Sequence, residues 1–382
     1  MILPDFSPRS PAARIPQPAK PATAPKPMSV HSKHPGKDKT ARPAPVATPG
    51  LFEPSAAPAI PDLPVLGIDI AKATFRACLL PNRGERSAEA DFANSPEGFH
   101  ALAAWLKKHS APRTRAALEA TGHYSQALLA FLHAAGHHVS LLNPRWIKDY
   151  ARSEGRRNKT DAADARVIAR YVRTHATRPW QPRTEAESSL QALSRRRAHI
   201  VGQLTAEKVR LQNEPAATAP LTKNSIAHFK RQLVQIDQAI TKLLRADAAL
   251  QRAFALLQSI PGIGRATAIA ILAELPPLES FERVRDAAAW AGLTPALCES
   301  GTSVRGRSRM SKQGNGRLRK ALYMPALVLL RAKRQNALTT FATRLREAGK
   351  PPMIIIGALM RKLFQTACGV LKHDCRFNPS LA

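Results

Sequence analysis

Short apolar segments that alternate with helix-like segments place the strongest constraint on the fold of this chain. Ser95 and Pro96 are typical of an N-cap and a first helical position, so a helix is predicted to begin there. Further helices are predicted at 125–134 and from residue 143. Strands alternating with helices predict an α/β domain over residues 63–183. Four segments have the length and apolar content of buried strands: Val65–Ile70, Thr74–Leu80, Arg115–Glu119 and His138–Leu142.

Acidic side chains on these elements stand out because the chain is strongly basic, with 58 Lys and Arg against 27 Asp and Glu and a formal net charge of +31. Asp69 lies in the first predicted strand, and Glu119 ends a later one. Asp161 and Asp164 are three residues apart on a predicted helix, so they face the same way. RNase H-like nucleases use this order of carboxylates to hold two metal ions for phosphoryl transfer. The pattern predicts an RNase H-like (RuvC-like) α/β fold with Mg²⁺ bound by the four acids.

Each acid also has an ordinary explanation when it is taken alone. An Asp at a strand end can cap a turn, and Glu119 can pair with a neighbouring Arg. Asp161 can cap its helix, while Asp164 can pair with Arg166 or Arg170. The order of the four acids and the types of element that carry them favour metal binding over these separate explanations.

The net charge predicts nucleic acid as the partner, because Lys and Arg gain affinity by releasing counterions from phosphates. Close to the acids, the phosphate contacts expected are Lys72, Arg156, Arg157 and Lys159, with ordinary solvated charges as the alternative. No apolar run reaches the ~18 residues of a membrane span, and no membrane partner is expected. The four cysteines show no zinc spacing, which predicts reduced thiols and a cytoplasmic protein, associated with the nucleoid when bound to DNA.

Two further segments flank this domain. Residues 1–62 are rich in Pro, Ala and Lys and predict a disordered basic tail. Residues 184–250 predict a helical spacer, since an unbroken heptad seam runs along its second half. An antiparallel hairpin, a dimerising coiled coil and a plain bundle all satisfy this pattern. The seam residues are Ile226, Phe229, Leu233, Ile236, Ile240 and Leu243.

Residues 251–377 predict a mainly α-helical C-terminal domain, with helices at 281–291, 321–332 and 353–371. Gly262 and Gly264 follow Pro261 in a helix–hairpin–helix pattern whose backbone N–H groups can bind phosphate, although a tight Pro-Gly connection is the alternative. A dense basic stretch follows it, expected to contact phosphate or RNA, with a generic basic surface as the alternative. Its members are Arg305, Arg307, Arg309, Lys312, Arg317 and Arg319.

Five collinear motifs between Val65 and Phe377 resemble the DEDD transposases of the insertion sequence 110 family. The resemblance implies a RuvC-like domain, a coiled-coil spacer and a C-terminal transposase domain. It implies Mg²⁺ on the four acids, and Ser300 as a nucleophile that joins covalently to DNA. It also implies an element-encoded guide RNA that pairs with donor and target DNA. The motifs are Gly67-Ile68-Asp69, Glu119-Ala120-Thr121-Gly122, Arg157 to Arg166, Ser259 to Gly264, and Gly292-Leu293-Thr294-Pro295 with Glu299-Ser300-Gly301.

The resemblance further implies homo-oligomers, from dimer to tetramer, in which the serine of one subunit completes the acidic site of another. From the residues alone, Ser300 cannot be told apart from Ser303, Ser308 or Ser311. Cys298 stands where the family often has an aromatic residue, and the long N-terminal tail is atypical.

The predicted activity is DNA transposition or recombination through a phosphoserine intermediate. One alternative is a RuvC-type nuclease that hydrolyses DNA junctions with water. The other is a nucleic-acid-binding remnant without catalysis.

Overall fold

A five-stranded mixed sheet forms the first half of this computed structural model. The structure describes residues 62–82, 86–120, 122, 124–155, 161–296, 299–300, 304–305 and 309–379, with the backbone alone at 161–163, 299–300 and 304–305. The strand order is β3-β2-β1-β4-β5, in which β1, β2 and β3 are antiparallel and β4 and β5 run parallel to β1. The strands are β1 (Val65–Ile70), β2 (Thr74–Leu80), β3 (Ala88–Ala93), β4 (Arg115–Glu119) and β5 (His138–Leu142).

Four of these strands have the predicted bounds, and β3 was not predicted. Its sequence, Ala-Glu-Ala-Asp-Phe-Ala, lacks β-branched residues and carries two acids, so it has weak strand propensity. Pairing with β2 along its whole length holds it at the edge of the sheet.

Helices cover both faces of the sheet. On one face pack α1 (Pro96–Lys108) and α2 (Gln126–Ala134), which share a core with β1, β2 and β4. As predicted, Ser95 caps α1 by accepting a hydrogen bond from the Gly98 backbone N. The other face carries α3 (Pro144–Ser153) and α4 (Asp161–Thr174).

The spacer is an antiparallel hairpin of α5 (Glu185–Leu211) and α6 (Ala219–Ala246). Their direction follows from cross-helix contacts: Arg197 Nε donates to Asp237 Oδ1 over 2.8 Å, and Leu190 near the start of α5 shares a core with Ile240 near the end of α6. The hairpin is thus the arrangement adopted among those expected.

The C-terminal part is a helical core with a small β-ribbon. The core contains α7 (Ala248–Gln258), α8 (Arg265–Glu274), α9 (Val284–Trp290), α10 (Gly316–Arg331), α11 (Ala337–Glu347) and α12 (Pro352–Lys372). The ribbon has two ladders: β6 (Pro295–Ala296) pairs with β9 (Arg309–Met310), and β7 (Glu299–Ser300) pairs with β8 (Val304–Arg305).

The C-terminal part differs from the expectations in two helix starts and in elements that were not predicted. The helix expected from residue 281 begins at Val284, α10 begins at Gly316 because the Asn315 side chain caps it, and α11 and the ribbon strands were not predicted. Among the described helices, α12 is long and apolar enough to cross a membrane by length and composition. Half of its apolar window is buried in the C-terminal core, as is usual for the central helix of a folded domain.

Candidate active site

Asp69 and Glu119 occupy neighbouring positions on adjacent parallel strands. In the β1–β4 ladder Ile68 lies opposite Leu118, so the next residues in the same register are Asp69 and Glu119. Backbones of neighbouring strands are about 4.8 Å apart. Both acids are half-buried, and both lie on the sheet face that also holds Gly67 and Ala117. Strand register therefore places two of the predicted carboxylates side by side.

Helix α4 packs on this same face at backbone distance. A Cβ atom on Gly67 would lie 2.2 Å from the Ala165 carbonyl O and 2.4 Å from the Ala169 backbone N. Only glycine permits so close an approach. The height of α4 above β1 is consequently fixed by the absence of a side chain at position 67.

The direction of α4 decides where the remaining two acids lie. Near its C-terminal end, Arg173 donates to the Pro81 carbonyl O, and Arg115 at the start of β4 donates to the Val172 carbonyl O, each over 2.6 Å. Pro81 follows the end of β2, which pairs with the start of β1. The N-terminal turn of α4, with Asp161 and Asp164, therefore lies over the carboxyl ends of β1 and β4.

The alternative partners considered for Asp164 are engaged elsewhere. Arg166 Nε donates to Glu89 Oε1 over 2.7 Å, and Arg170 Nη1 donates to Glu154 Oε2 over 3.4 Å. Asp164 itself is half-buried in the first turn of α4. Its position is consistent with a role at the acidic edge rather than with pairing to the arginines of its own helix.

The acids at this edge suit Mg²⁺ in the type of donor. Magnesium prefers a few carboxylate oxygens plus substrate phosphate. The side chains that the structure describes contain no group of three or more His, Cys, Asp or Glu that could hold a metal ion by themselves. The Asp161 side chain lies outside that set, and it is the fourth member of the predicted site.

Asn94, which the sequence did not single out, ties together the loops that follow the two acidic strands. Its side-chain Nδ2 donates to the carbonyl O of Ala71 over 3.1 Å and of Tyr124 over 3.2 Å. Its backbone N donates to the Ala73 carbonyl O over 2.8 Å. An Asn just before an N-cap gives no sequence signal for this bridge, because its partners are 23 and 30 residues away.

The basic residues predicted beside the acids are only partly within the described chain. Lys72 is exposed on the loop after β1, at the same edge as the acids. Arg156, Arg157 and Lys159 lie outside the described residues.

Ser300 lies in a different part of the molecule. It is the last residue of β7, opposite Val304 in β8, and its side chain is outside the described set, as are residues 301–303. At the base of the ribbon, Ser311 N donates to the Thr294 carbonyl O over 2.9 Å. Among the described elements, no substantial packing joins β7 or β8 to β1, β4 or α4. The structure thus brings the acidic positions together but does not add Ser300 to them.

The basic stretch around the ribbon contains residues with different surroundings. Arg309, Lys312 and Arg317 are exposed, Arg305 is described by its backbone in β8, and Arg307 lies outside the described residues. Arg319 is half-buried, and its Nη1 donates to the Ala291 carbonyl O over 2.8 Å. Burial lowers the pKa of this guanidinium. Arg319 therefore has a structural partner at the base of the ribbon.

The predicted helix–hairpin–helix element is formed by α7, a tight turn and α8. Gly262 has a φ of +88°, which favours glycine, and exposed Gly264 is the N-cap of α8. Ile260 and Ile263 are buried and anchor the turn in the C-terminal core. The backbone at the start of α8 is open to solvent, as phosphate binding there requires.

Comparison with known proteins assigns the sheet domain and the C-terminal domain to transposase families. A DEDD transposase family of the IS110 type matches residues 66–214, and the Transposase IS116/IS110/IS902 family matches residues 254–341. The pilin gene-inverting protein of Moraxella bovis is 34% identical over 315 residues, which span 82% of this chain and 97% of that protein. The chain belongs to the IS110 transposase family.

More distant members of the family agree with this assignment. The transposase for insertion sequence element IS1111A of Coxiella burnetii is 28% identical over 306 residues, covering 71% of this chain and 79% of that protein. A probable family 20 transposase of Pseudomonas aeruginosa is 25% identical over 306 residues, covering 70% and 87% respectively. As a transposase or recombinase of this family, the protein cleaves and rejoins DNA.

The boundary between the two matched segments separates the four acids from Ser300, as the boundary between the sheet domain and the C-terminal domain also does. The first contains Asp69, Glu119, Asp161 and Asp164, and the second contains Ser300 and the helix–hairpin–helix turn.

Proposed function

We propose that this transposase cuts and rejoins DNA through a covalent phosphoserine intermediate. Ser300 Oγ attacks a DNA phosphorus, a bond from Oγ to phosphorus forms, and the bond to the 3′ oxygen breaks with release of a 3′-OH. A 3′-OH of another strand then attacks the phosphoserine, which restores the phosphodiester and the free serine. Bond energy is conserved in both steps, so no nucleoside triphosphate is needed.

The observation that carries this proposal is that the strands and the helix bearing the four acids meet at one edge of the sheet. Asp69, Glu119, Asp161 and Asp164 would hold Mg²⁺, which supplies charge stabilisation to the attacking and leaving oxygens. The strand order and the antiparallel β1–β2–β3 meander followed by parallel β4 and β5 support the RuvC-like fold class. The relatives named for pilin gene inversion support a reaction that rearranges DNA rather than one that degrades it.

The separation of Ser300 from the acids supports a site completed by a second subunit. Among the described strands of the ribbon, no substantial packing on the acidic edge of the same chain is found. An oligomer, from dimer to tetramer, brings the serine of one subunit to the acids of another. The spacer hairpin 184–250 separates the catalytic domain 63–183 from the transposase domain 251–377. The heptad seam of α6 packs on α5 within the chain, so the spacer is a coiled-coil hairpin that sets the two domains apart.

Recognition of donor and target DNA is assigned to a structured guide RNA. The exposed basic residues at the two sites, Lys72 and Arg309 among them, support binding to phosphate backbones. The reaction takes place in the cytoplasm, on nucleoid DNA. Strand exchange that proceeds at full rate with protein freed of RNA would overturn this part of the proposal.

Trapping of the covalent adduct tests the nucleophile. Protein denatured during the reaction is expected to carry labelled DNA, and Ser300→Ala is expected to lose this label. Ser303→Ala is the matched control and should keep it. Unchanged strand cleavage by Ser300→Ala would instead favour hydrolysis by water, the activity of a junction nuclease.

Removal of one carboxylate tests the metal site. Asp161→Asn or Asp69→Asn is expected to lower the rate of strand cleavage by about 10³-fold or more, because the charge that stabilises the transition state is lost. DNA binding measured at fixed salt should persist in both variants. Full cleavage activity of either variant would show that the acids do not hold the catalytic metal. Full cleavage by the parent protein in the absence of Mg²⁺ would show the same.

A further inference from the structure

We propose that Tyr124 and Trp146 each provide a stacking surface for an unpaired base of the DNA strand that is cut. This inference rests on the proposed function, since it places the site beside the acids that would act on that strand. It names a feature of the substrate: the nucleotide next to the reacting phosphate is taken out of the duplex and held against aromatic rings.

The first observation is the exposure of these two rings. Tyr124 is 47% exposed and Trp146 is 43% exposed. Among the described residues up to the end of α4, they are the large hydrophobic side chains that remain open to solvent. The other rings of this region pack on one another, as Phe75 does with Phe92 and Phe99 with Phe131. Tyr and Trp are enriched at interfaces, because each combines a large apolar ring with a polar group.

The second observation is where the rings lie. Tyr124 is on the segment that follows β4, and Trp146 is in the first turn of α3, which follows β5. These strands are parallel neighbours, with Glu119 opposite Leu142, so both segments leave the sheet at the edge that holds Asp69 and Glu119. The exposed rings and the predicted metal ligands thus share one edge of the sheet. The Trp146 segment leads to the face that carries α4, and the Tyr124 segment leads to the face that carries α1 and α2.

The third observation is that the backbone carrying both rings is held in place. Asn94 Nδ2 donates to the Tyr124 carbonyl O over 3.2 Å. The Asn143 side chain accepts from the Arg145 backbone N over 3.0 Å, and Ile147 is buried beneath α3. A ring on a fixed backbone loses little conformational entropy when a base stacks on it, which favours binding.

The charges around the rings favour a nucleic-acid strand over a protein partner. Lys72, Arg145 and Lys148 are exposed at or near this edge. Asp149 pairs with Arg145 and Arg152, each over 3.6 Å. Cations that border aromatic rings provide contacts to phosphates while the rings stack on bases.

The occupant is an unpaired base because a base inside a duplex already has neighbours on both of its faces. Only a nucleotide that leaves the helix, or that lies in a single strand, can offer a face to a protein ring. Strand exchange requires such nucleotides at the cut site, and the acids lie next to the rings that would hold one.

Trp146 fluorescence tests the proposal without catalysis. Trp105, Trp180 and Trp290 are half-buried, so quenching by a stacked base should report on Trp146. In metal-free buffer at fixed salt, single-stranded oligothymidine is expected to quench the full-length protein. A blunt oligothymidine–oligoadenine duplex is expected to quench it much less. Trp180→Phe, the matched control, should keep the quenching, and Trp146→Phe should lose it.

Affinity measurements complete the test. Trp146→Leu and Tyr124→Leu should each weaken binding of oligothymidine by about five-fold or more, whereas Trp146→Phe and Tyr124→Phe should bind nearly as the parent does. Equal affinity of the Leu variants, or equal quenching by duplex, would overturn the stacking site. Fluorescence that depends on protein concentration without DNA, together with loss of the oligomer in Trp146→Leu, would assign the rings to a subunit contact and overturn it as well.

Failure of this inference can be told apart from failure of the proposed function. If the Leu variants bind oligothymidine normally while Asp69→Asn abolishes cleavage, the stacking site is wrong and the metal site stands. If the Leu variants bind weakly while Asp69→Asn cleaves normally, the rings bind a base but the neighbouring acids are not catalytic.

Discussion

The acidic edge of the sheet and the ribbon that carries Ser300 are built in different ways. Strands of five to seven residues, buried on both faces, fix the acids through register, and α4 lies on β1 at backbone distance. The ribbon has ladders of two residues each, and contacts at its base attach it to the C-terminal core. A site held by packing tolerates little movement, whereas a ribbon held at its base can be carried to a partner. This difference suits the proposed metal site and the proposed delivery of Ser300 from another subunit.

Gly67→Ala should give the largest effect, because it disrupts the packing of α4 at the acidic edge of the sheet. The added methyl group would lie 2.2 Å from a backbone oxygen of α4, so the helix must move away from the sheet. We expect a loss of about 3 kcal/mol in the free energy of unfolding and loss of strand cleavage. Urea denaturation and a cleavage assay measure both. Gly202→Ala on α5, which meets nothing within 4 Å, is the matched control and should stabilise slightly. Equal stability of the two variants would contradict the close packing of α4.

Gly314→Ala should disrupt the base of the ribbon and leave the acidic edge of the sheet intact. Gly314 has a φ of +148°, and a Cβ there would lie 2.0 Å from the Trp290 carbonyl O. Displacement of the ribbon base should lower formation of the covalent adduct by about ten-fold or more. Helical content and binding to oligothymidine should stay close to those of the parent.

A mixture of these two variants sharpens the comparison. If the site is shared between subunits, a hetero-oligomer of Gly67→Ala and Gly314→Ala contains one intact acidic edge that can meet one intact ribbon. Activity above that of either variant alone is expected in a strand-exchange assay. Activity no higher than the sum of the separate variants would favour a site within one chain.

Glu274→Gln should have a smaller effect, because it loosens the contact between the spacer and the ribbon base. Buried Glu274 on α8 accepts from Arg195 Nε of α5 over 2.8 Å and from Asn315 Nδ2, at the start of α10, over 2.9 Å. Loss of the charge should cost about 2 kcal/mol of unfolding free energy by urea denaturation. Asp374→Asn, which removes the acid of an exposed pair with Arg252, is the control and should change stability little.

The decrease of the unfolding free energy at acidic pH should depend on the same contact between Glu274 and Arg195. Burial by itself raises the pKa of Glu274, but hydrogen bonds from Arg195 and Asn315 outweigh it, so the pKa lies below its usual 4.5. A lowered folded-state pKa gives stability that is present at neutral pH and is lost as the pH falls below 4.5 through that pKa. Glu274→Gln should flatten this decline, and an unchanged profile would show that other carboxylates cause it.

The smallest predicted effect concerns His137, which directly precedes β5 and so lies at the end of the sheet opposite to the acids. Its Nδ1 accepts from the Thr114 backbone N over 3.1 Å, and burial lowers its pKa below the usual 6.5. The unfolded chain therefore binds this proton more readily, and stability should decrease as the pH falls below 6.5. His137→Asn should reduce that decrease, at most about 1.4 kcal/mol per pH unit, in denaturation curves on either side of pH 6.5. Strand cleavage measured at neutral pH should not change.

Local signals predicted the individual elements well and the connections between them poorly. Ser95 with Pro96 and Asn143 with Pro144 marked the starts of α1 and α3, because capping depends on neighbours in sequence. The weak strand β3 was missed, since its stability comes from pairing with β2 and not from its own residues. Arg319, expected to contact phosphate, was found bonded to a carbonyl 28 residues away.

By itself, the sequence determined the identity of most of the elements, the order of the acids along them and membership of the IS110 transposase family. Capping, apolar periodicity and motif spacing are properties of short stretches of chain, and they can be read without the fold. Only the tertiary structure decided that the first turn of α4 meets the carboxyl ends of β1 and β4, that Asn94 joins two loops there, and that Tyr124 and Trp146 share that edge. The reason is physical: these contacts join residues far apart in the chain, and packing of the sheet against α4 sets them.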